Sequence, residues 1–205
     1  MKYIMRGCLG IVLLLSAGCD LPTLTTVLAT VGQQNITRQD VVYRIGIAKS
    51  YGHKQPMNEQ ALVYMIDDAL TRQVAAKVGV AVTKQEVDAL SAYLDKHSKT
   101  PKILNAVKWV FGDNADDYRR IYVIPRVLNR KLQAWYALHV SGKQRPQPEI
   151  EAAVAQSTGG QGKSAFDAWF RQQARALPVH IKDERLRTGV LKKFPDLWWL
   201  DSATR

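Results

Sequence analysis

Residues 58–78 place Leu62, Met65, Ile66, Ala69, Leu70, Val74 and Val78 three or four positions apart, with polar and charged residues between them. That spacing gathers the apolar side chains on one stripe of a helix about 30 Å long, because each residue of an α-helix advances the chain by about 1.5 Å. Gly79 stops the helix, since glycine enters left-handed backbone without a steric penalty. A stripe of this length needs other elements laid against it.

The flanking sequence supplies them. Val27-Leu28-Ala29-Thr30-Val31 reads as a strand of mainly apolar, β-branched residues, and Gly32-Gln33-Gln34-Asn35 as the turn after it. Thr37 and Asp40 have the spacing of a loose capping box for a helix carrying Val41, Val42, Ile45 and Ala48, and residues 51–57, with Gly52 and Pro56, form a loop. After the short extended link Val80-Ala81-Val82, Thr83 and Glu86 form a second capping box, for a helix that buries Val87, Leu90 and Leu94. Thr100-Pro101 opens a further helix with Ile103, Leu104, Val107 and Trp109, ending near Gly112.

From residue 115 to about 140 the spacing of Tyr118, Ile121, Tyr122, Leu128, Leu132 and Trp135 is helical again, with a kink expected at Pro125. Arg119, Arg120, Arg126, Arg130 and Lys131 lie on its other sides and are read as a solvated face. Residues 141–148, SGKQRPQP, form a linker, 149–156 a short helix and 157–162 a flexible glycine-rich stretch. One face of the next helix carries Phe166, Trp169, Phe170, Ala174 and Leu177, and Pro178 breaks it before a short strand at 179–181. The fold class is therefore mainly α, with short strands at 27–31 and 179–181. A helical domain spans 27–140, and a carboxy-terminal segment, 149–205, packs back on it.

Little in the sequence points to covalent chemistry. His53, His97, His139 and His180 are dispersed, and none has a second ligand at metal spacing, so neither metal nor cofactor is expected. Gly159-Gly160-Gln161-Gly162 lacks the preceding strand of a phosphate cradle. Asp67 and Asp68 are helix neighbours, whose side chains point about 100° apart and do not face each other. Trp109, Trp135, Trp169 and Phe170 are read as core. The adjacent Trp198 and Trp199 cannot both face one helical core; docking on the protein's own domain is the favoured reading, with one of them covering a groove, a partner or a membrane interface as the alternative.

The amino terminus carries an address. Lys2 and Arg6 precede an apolar run from Leu9 to Leu15, and Ser16-Ala17-Gly18 lead into Cys19. The stretch resembles the lipobox of bacterial lipoproteins, with Ser16 where that motif prefers leucine. The resemblance implies a signal peptide over 1–18, lipid on Cys19 and a tether over 19–26. Asp20 resembles the signal that retains lipoproteins in the inner membrane, with the outer membrane as the alternative. A membrane-spanning helix needs about 20 apolar residues, and Asp20 ends the run sooner. Cys8 leaves with the signal and lipid occupies Cys19, so no disulfide is expected and a hydrophobic core must hold the domain. Loss of Lys2 and Arg6 lowers the formal charge from +11 to +9. No nucleic-acid motif accompanies that charge, so exported polypeptides and anionic headgroups are the expected partners rather than nucleic acid.

Three stretches stand in order: 28–40, LATVGQQNITRQD; 62–70, LVYMIDDAL; and 80–88, VAVTKQEVD. Together they resemble the amino-terminal chaperone domain of the SurA, PpiD and PrsA group of periplasmic folding factors. Asp117-Tyr118-Arg119-Arg120 is similar to that group's acidic-tyrosine-arginine element, and 174–181 to its closing strand, which returns to pair with the first. The resemblance covers about residues 27–140. Gly32-Gln33-Gln34 departs from the group's asparagine-glycine turn, and Lys108-Trp109-Val110-Phe111 is more aromatic than its counterpart. The parvulin isomerase domain has no counterpart: the 63 residues after Gly142 are too few and hold one histidine, His180. Together with the lipobox and the missing parvulin domain, the resemblance implies a lipid-anchored, periplasm-facing protein that holds unfolded or nascent exported polypeptides without covalent chemistry. Tyr43, Tyr64, Met65, Trp109 and Tyr122 are its groove candidates. A structural lipoprotein serving one envelope assembly, a secretion or exopolysaccharide apparatus, is the rival reading, and residual prolyl isomerase activity a third.

Changing Cys19→Ser removes the acylation site, so the protein is expected to move from the membrane to the soluble fraction and to stop incorporating labelled palmitate. Retention in the membrane fraction would contradict the lipobox reading.

Overall fold

α2 (Asn58–Lys77) is the element that most others touch: α1 (Arg38–Ser50), strands β1 (Val27–Val31) and β2 (Gln34–Thr37), and three later helices pack on it in the computed structural model. The structure describes residues 23–50, 53, 57–97, 115–141 and 161–200. The signal segment with Cys19 and Asp20, the helix expected near 101–112 with Trp109, the linker beyond Ser141 and the helix expected at 149–156 lie outside the described residues. All of the expected α2 stripe from Leu62 to Val74 is buried, and Val78 is half-buried just past its end. Gly79, at φ 74°, closes the helix. The Val80 amide donates to the Ala75 carbonyl at 2.8 Å and the Gly79 amide to Ala76 at 3.2 Å, the paired bonds of a Schellman end.

β1 is the centre of a three-stranded antiparallel sheet of order β2-β1-β3, with β3 at Val179–Ile181. The expected turn is shorter than four residues: Gly32 and Gln33 alone join β1 to β2, with Gly32 at φ 54°. Gln73 of α2 closes over this turn, its Nε2 donating to the Val31 carbonyl at 2.6 Å. A Cβ at Gly32 would collide with that amide. Register slips between Val27 and Ala29, and this bulge interrupts the alternation of the strand, so Leu28, Ala29 and Val31 are all buried. β3 pairs Ala29 with Ile181 and Val31 with Val179, which joins the end of the chain to its beginning as expected.

α1 follows the capping box at Thr37 and Asp40, although Val42 faces solvent and Ile47 takes the core position. α3 (Lys84–His97) follows the box at Thr83 and Glu86 and buries Val87 and Leu90. The third long segment is broken differently from the expected kink. α4 (Ala115–Tyr118) passes into a π-helical turn (Arg119–Val123) and then into α5 (Ile124–His139), with Pro125 in its first turn. In the wider turn the Ile124 amide reaches back to the Arg119 carbonyl. The Arg120 carbonyl would then need the amide that Pro125 lacks, and the Arg72 guanidinium of α2 donates to it instead.

The basic residues of this segment do lie at the surface, with Arg120 exposed and the others half-buried, but three of them are paired across helices, which the sequence does not imply. Arg120 Nη2 donates to Asp40 at 2.8 Å and to Asp117 at 2.9 Å. Lys131 Nζ lies 2.7 Å from Glu86, and Arg119 lies 3.2 Å from Asp88. Both capping-box carboxylates, of α1 and of α3, are therefore clasped by cations from the 119–131 segment. Periodicity shows which side of a helix is polar; only the arrangement of helices shows that acids stand opposite.

α6 (Gln161–Ala174) begins inside the stretch expected to be flexible. Its aromatic face meets α5: Trp169 lies 5.7 Å from Trp135 and 5.3 Å from Tyr136, ring to ring. Of the residues read as core on it, Phe166 and Ala174 are buried, while Trp169, Phe170 and also Trp135 are half-buried. α7 (Glu184–Lys193) is capped by Asp183, which accepts from the Leu186 amide at 3.0 Å, and Lys193 ties it to Glu59 of α2 at 2.9 Å. Trp199 is only 1% exposed, and Trp198 meets Phe170 edge to face at 6.2 Å. Both tryptophans thus pack on the domain.

Asp40 is 5% exposed and accepts from the Thr37 amide and hydroxyl as well as from Arg120. Asp40→Ala removes a helix cap and leaves a cation without its buried partner, at a cost of about 2–4 kcal/mol. Glu86→Ala, at a more open site, should cost about 1 kcal/mol. Urea unfolding midpoints of the two variants check the order.

Candidate functional site

α1, the first half of α2 and the start of α5 enclose a cleft of about 420 Å³. Helical spacing builds each wall. Arg44, Ile47 and Ala48 lie on one side of α1, Gln60, Ala61 and Tyr64 on one side of α2, and Tyr122 and Arg126 one turn apart where the π-helical turn enters α5. His53 and Met57 join from the connection between α1 and α2.

Two arginines stand among the aromatic rings. The Arg126 guanidinium carbon lies 3.3 Å from the centre of the Tyr122 ring, and its Nη1 donates to the Tyr122 carbonyl at 3.0 Å. Arg44 sits 5.0 Å from the Tyr64 ring centre and 6.0 Å from that of Tyr122. Cations over aromatic faces gain from the ring quadrupole, more so where water is excluded. Beneath them Asp68 faces Arg44 at 3.7 Å, too far for a hydrogen bond, and the facing atoms of both groups are buried without one. Burial lowers the Arg44 pKa in spite of Asp68. Burial likewise lifts the Asp68 carboxyl to about 6 against the pull of Arg44, Arg72 and Arg126.

The lining supplies guanidinium donors, an amide, an imidazole and two phenols beside aliphatic surface. Such groups recognise a ligand by charge and by stacking.

Of the groove candidates, Tyr64 and Tyr122 come together here; Tyr64 is 45% exposed and Tyr122 only 5%. Met65 is a core residue at 5% exposure, because one step along α2 turns it away from Tyr64 and into the apolar stripe. Tyr43 stands outside the cleft lining, its hydroxyl accepting from Gln39 at 2.9 Å. Trp109 lies outside the described residues. Arg44 and Arg126 were not among the candidates. In sequence Arg126 belongs to the basic face, and Arg44 is a single charge among Tyr43, Ile45 and Ile47. The signal that points to them is Asp68, a carboxylate in an apolar helix, which needs cations near it.

A second cavity, about 260 Å³, lies where α2, α5 and α6 meet the last turn, with Asp67, Thr71, Phe170 and Trp198 in its wall. Asp67 Oδ1 accepts from Trp199 Nε1 at 3.0 Å. The neighbours Asp67 and Asp68 thus meet different partners, Trp199 and Arg44, in keeping with their angular separation on the helix. Among the described residues no group of three or more histidine, cysteine or acidic side chains is placed to hold a metal ion, and no helix is long and apolar enough to cross a membrane. The chain matches no protein-family model, no curated protein and no solved structure.

Burial holds the Asp67 carboxyl at about 6, although the bond from Trp199 pulls it down. In an unfolded chain this group releases its proton near pH 4. The folded protein therefore keeps a proton that the unfolded chain loses between about pH 4 and pH 6, and the stabilisation this gives is complete below that window and lost above it. Asp67→Asn keeps an acceptor for Trp199 and cannot titrate. Relative to this variant, the wild type should gain on the order of 1–2 kcal/mol on going from pH 7 to pH 4.5, as read from urea unfolding at the two values.

Proposed function

We propose that the chain is a lipid-anchored, chaperone-like protein of the bacterial cell envelope, related to the SurA, PpiD and PrsA group, that holds segments of unfolded exported polypeptides without covalent chemistry. The observation that carries this reading is the cleft itself. Two residues proposed as groove formers, Tyr64 and Tyr122, share one opening with aliphatic side chains and two guanidiniums. Unfolded segments expose aromatic and aliphatic side chains together with charged ones, and a surface offering stacking, apolar contact and charge accommodates many of them. The order of elements is consistent with the proposed relationship: a first strand, a capped helix, the long α2, a second capped helix and a late strand paired with the first. The tether at Cys19 would confine such a module to the surface from which exported chains emerge.

One observation favours the rival, a structural lipoprotein with a single fixed partner. A cleft of about 420 Å³ takes one or two side chains rather than a long segment, and its arginines are already positioned, as suits a defined motif.

Aggregation of several unrelated unfolded proteins, followed by light scattering, separates the two. The purified protein is expected to suppress aggregation in each case, and Tyr64→Ala, which removes an exposed ring without opening the core, should weaken suppression about tenfold. Recovery of one stoichiometric partner from crosslinked cells, with no suppression of aggregation, would favour the rival. Turnover of a proline peptide would point to the isomerase.

A further inference from the structure

The cleft at Arg44 and Arg126 carries more positive charge than its own carboxylate balances. Its two arginines, Arg44 and Arg126, act on the single Asp68, and so does Arg72, which Asp40 also reaches. Among the described residues Arg126 takes part in no ion pair. One turn along α5, Arg130 has a buried Nη1 without a hydrogen-bond partner, and its charge acts against that of Arg126. Uncompensated positive charge therefore collects along this side of α5, next to a cleft that is otherwise aromatic and aliphatic.

The arginines are also positioned before any ligand arrives. The Arg126 guanidinium lies over Tyr122, and one of its nitrogens is tied to the carbonyl of the same residue. With one face stacked and one corner tied, the remaining donors stay in a fixed plane, the geometry that takes a carboxylate through parallel hydrogen bonds. Ile47, Ala48, Ala61 and Met57 provide apolar surface for the carbon atoms on either side of it. A headgroup fixed in a bilayer cannot enter a recess lined by a largely buried arginine without leaving the surface, whereas a carboxylate on a flexible side chain can.

We propose that this cleft selects polypeptide segments in which an acidic side chain stands next to an aromatic or aliphatic one, the carboxylate pairing with Arg126 and Arg44 and the apolar neighbour stacking on Tyr64. The inference rests on reading the cleft as a polypeptide-binding surface, and it names the chemical class of the segment.

Calorimetric titration of the full chain in non-ionic detergent tests it, with the acetylated and amidated pentapeptide Ala-Phe-Glu-Phe-Ala and its glutamine counterpart as probes. The glutamate peptide is expected to bind about tenfold tighter at low ionic strength, with the advantage shrinking in molar salt. Arg126→Gln, checked for unchanged helix content by circular dichroism, should bind the two peptides alike. Equal affinity of the wild type for both peptides overturns the proposal, whatever the variant does. So does Arg126-dependent binding of phosphatidylglycerol vesicles with no binding of either peptide. Where the peptides bind alike while aggregation is still suppressed, selection of acidic segments falls and the chaperone reading stands; where neither peptide binds and nothing is suppressed, both fall.

Discussion

Two carboxylates organise the amino-terminal half of this protein, and each acts twice. Asp40 and Glu86 close the first turns of α1 and α3 by accepting the Thr37 and Thr83 amides, and each also receives a cation from the segment that runs into α5. A capping box alone is a local device worth about 1 kcal/mol. Joined to Arg120 and Lys131 it becomes a tertiary clamp that sets where α1 and α3 stand relative to the segment from the π-helical turn to α5. The clasp at Asp40 holds together two walls of the cleft, α1 and the start of α5. The π-helical turn belongs to the same arrangement. It widens the backbone ahead of Pro125 and leaves the Arg120 carbonyl for Arg72 while the Arg120 side chain reaches Asp40.

α2 completes the frame from within. Its apolar stripe fills the core, and the residues between the stripe positions reach outward in different directions: Gln73 to the β1 turn, Arg72 to the π-helical turn, Asp68 toward Arg44 and Asp67 to Trp199. One helix thus ties together the sheet, the broken helix and the carboxy-terminal turn. Both cavities border α2, which gives Gln60, Ala61 and Tyr64 to one and Asp67 and Thr71 to the other, while the arginines of the first come from α1 and α5 and the tryptophan of the second from the last turn.

Much of the fold was legible in sequence because it rests on local signals. The α2 stripe, the glycine at its end, the two capping boxes and the strand at Val179–Ile181 are read from residues a few positions apart. The turn at Gly32 was legible, but β2 was not: Gln34 and Asn35, read as turn, join Ile36 and Thr37 in a strand paired with β1. The start of α6 was misjudged because glycine and glutamine near a helix start look like a loop when the aromatic face that docks the helix on α5 is not in view. Of the candidate site, the two tyrosines were legible as large partly polar side chains on helices, whereas Met65 was misplaced by a rotation of a single residue.

By itself the sequence determined the helical period of α2 and where most helices start and stop, because backbone geometry, caps and apolar spacing are local or strictly periodic properties; the pairing of an early strand with a late one was an expectation from the family resemblance alone. Tertiary structure alone decided what the charged residues do. A run of arginines on one helix reads as solvated until other helices present Asp40, Asp88 and Glu86 to it, and Arg44 reads as incidental until packing sets it above Asp68 and between two tyrosine rings. The reason is physical: electrostatic energy depends on distance and on exclusion of water, and neither is defined before the chain has packed.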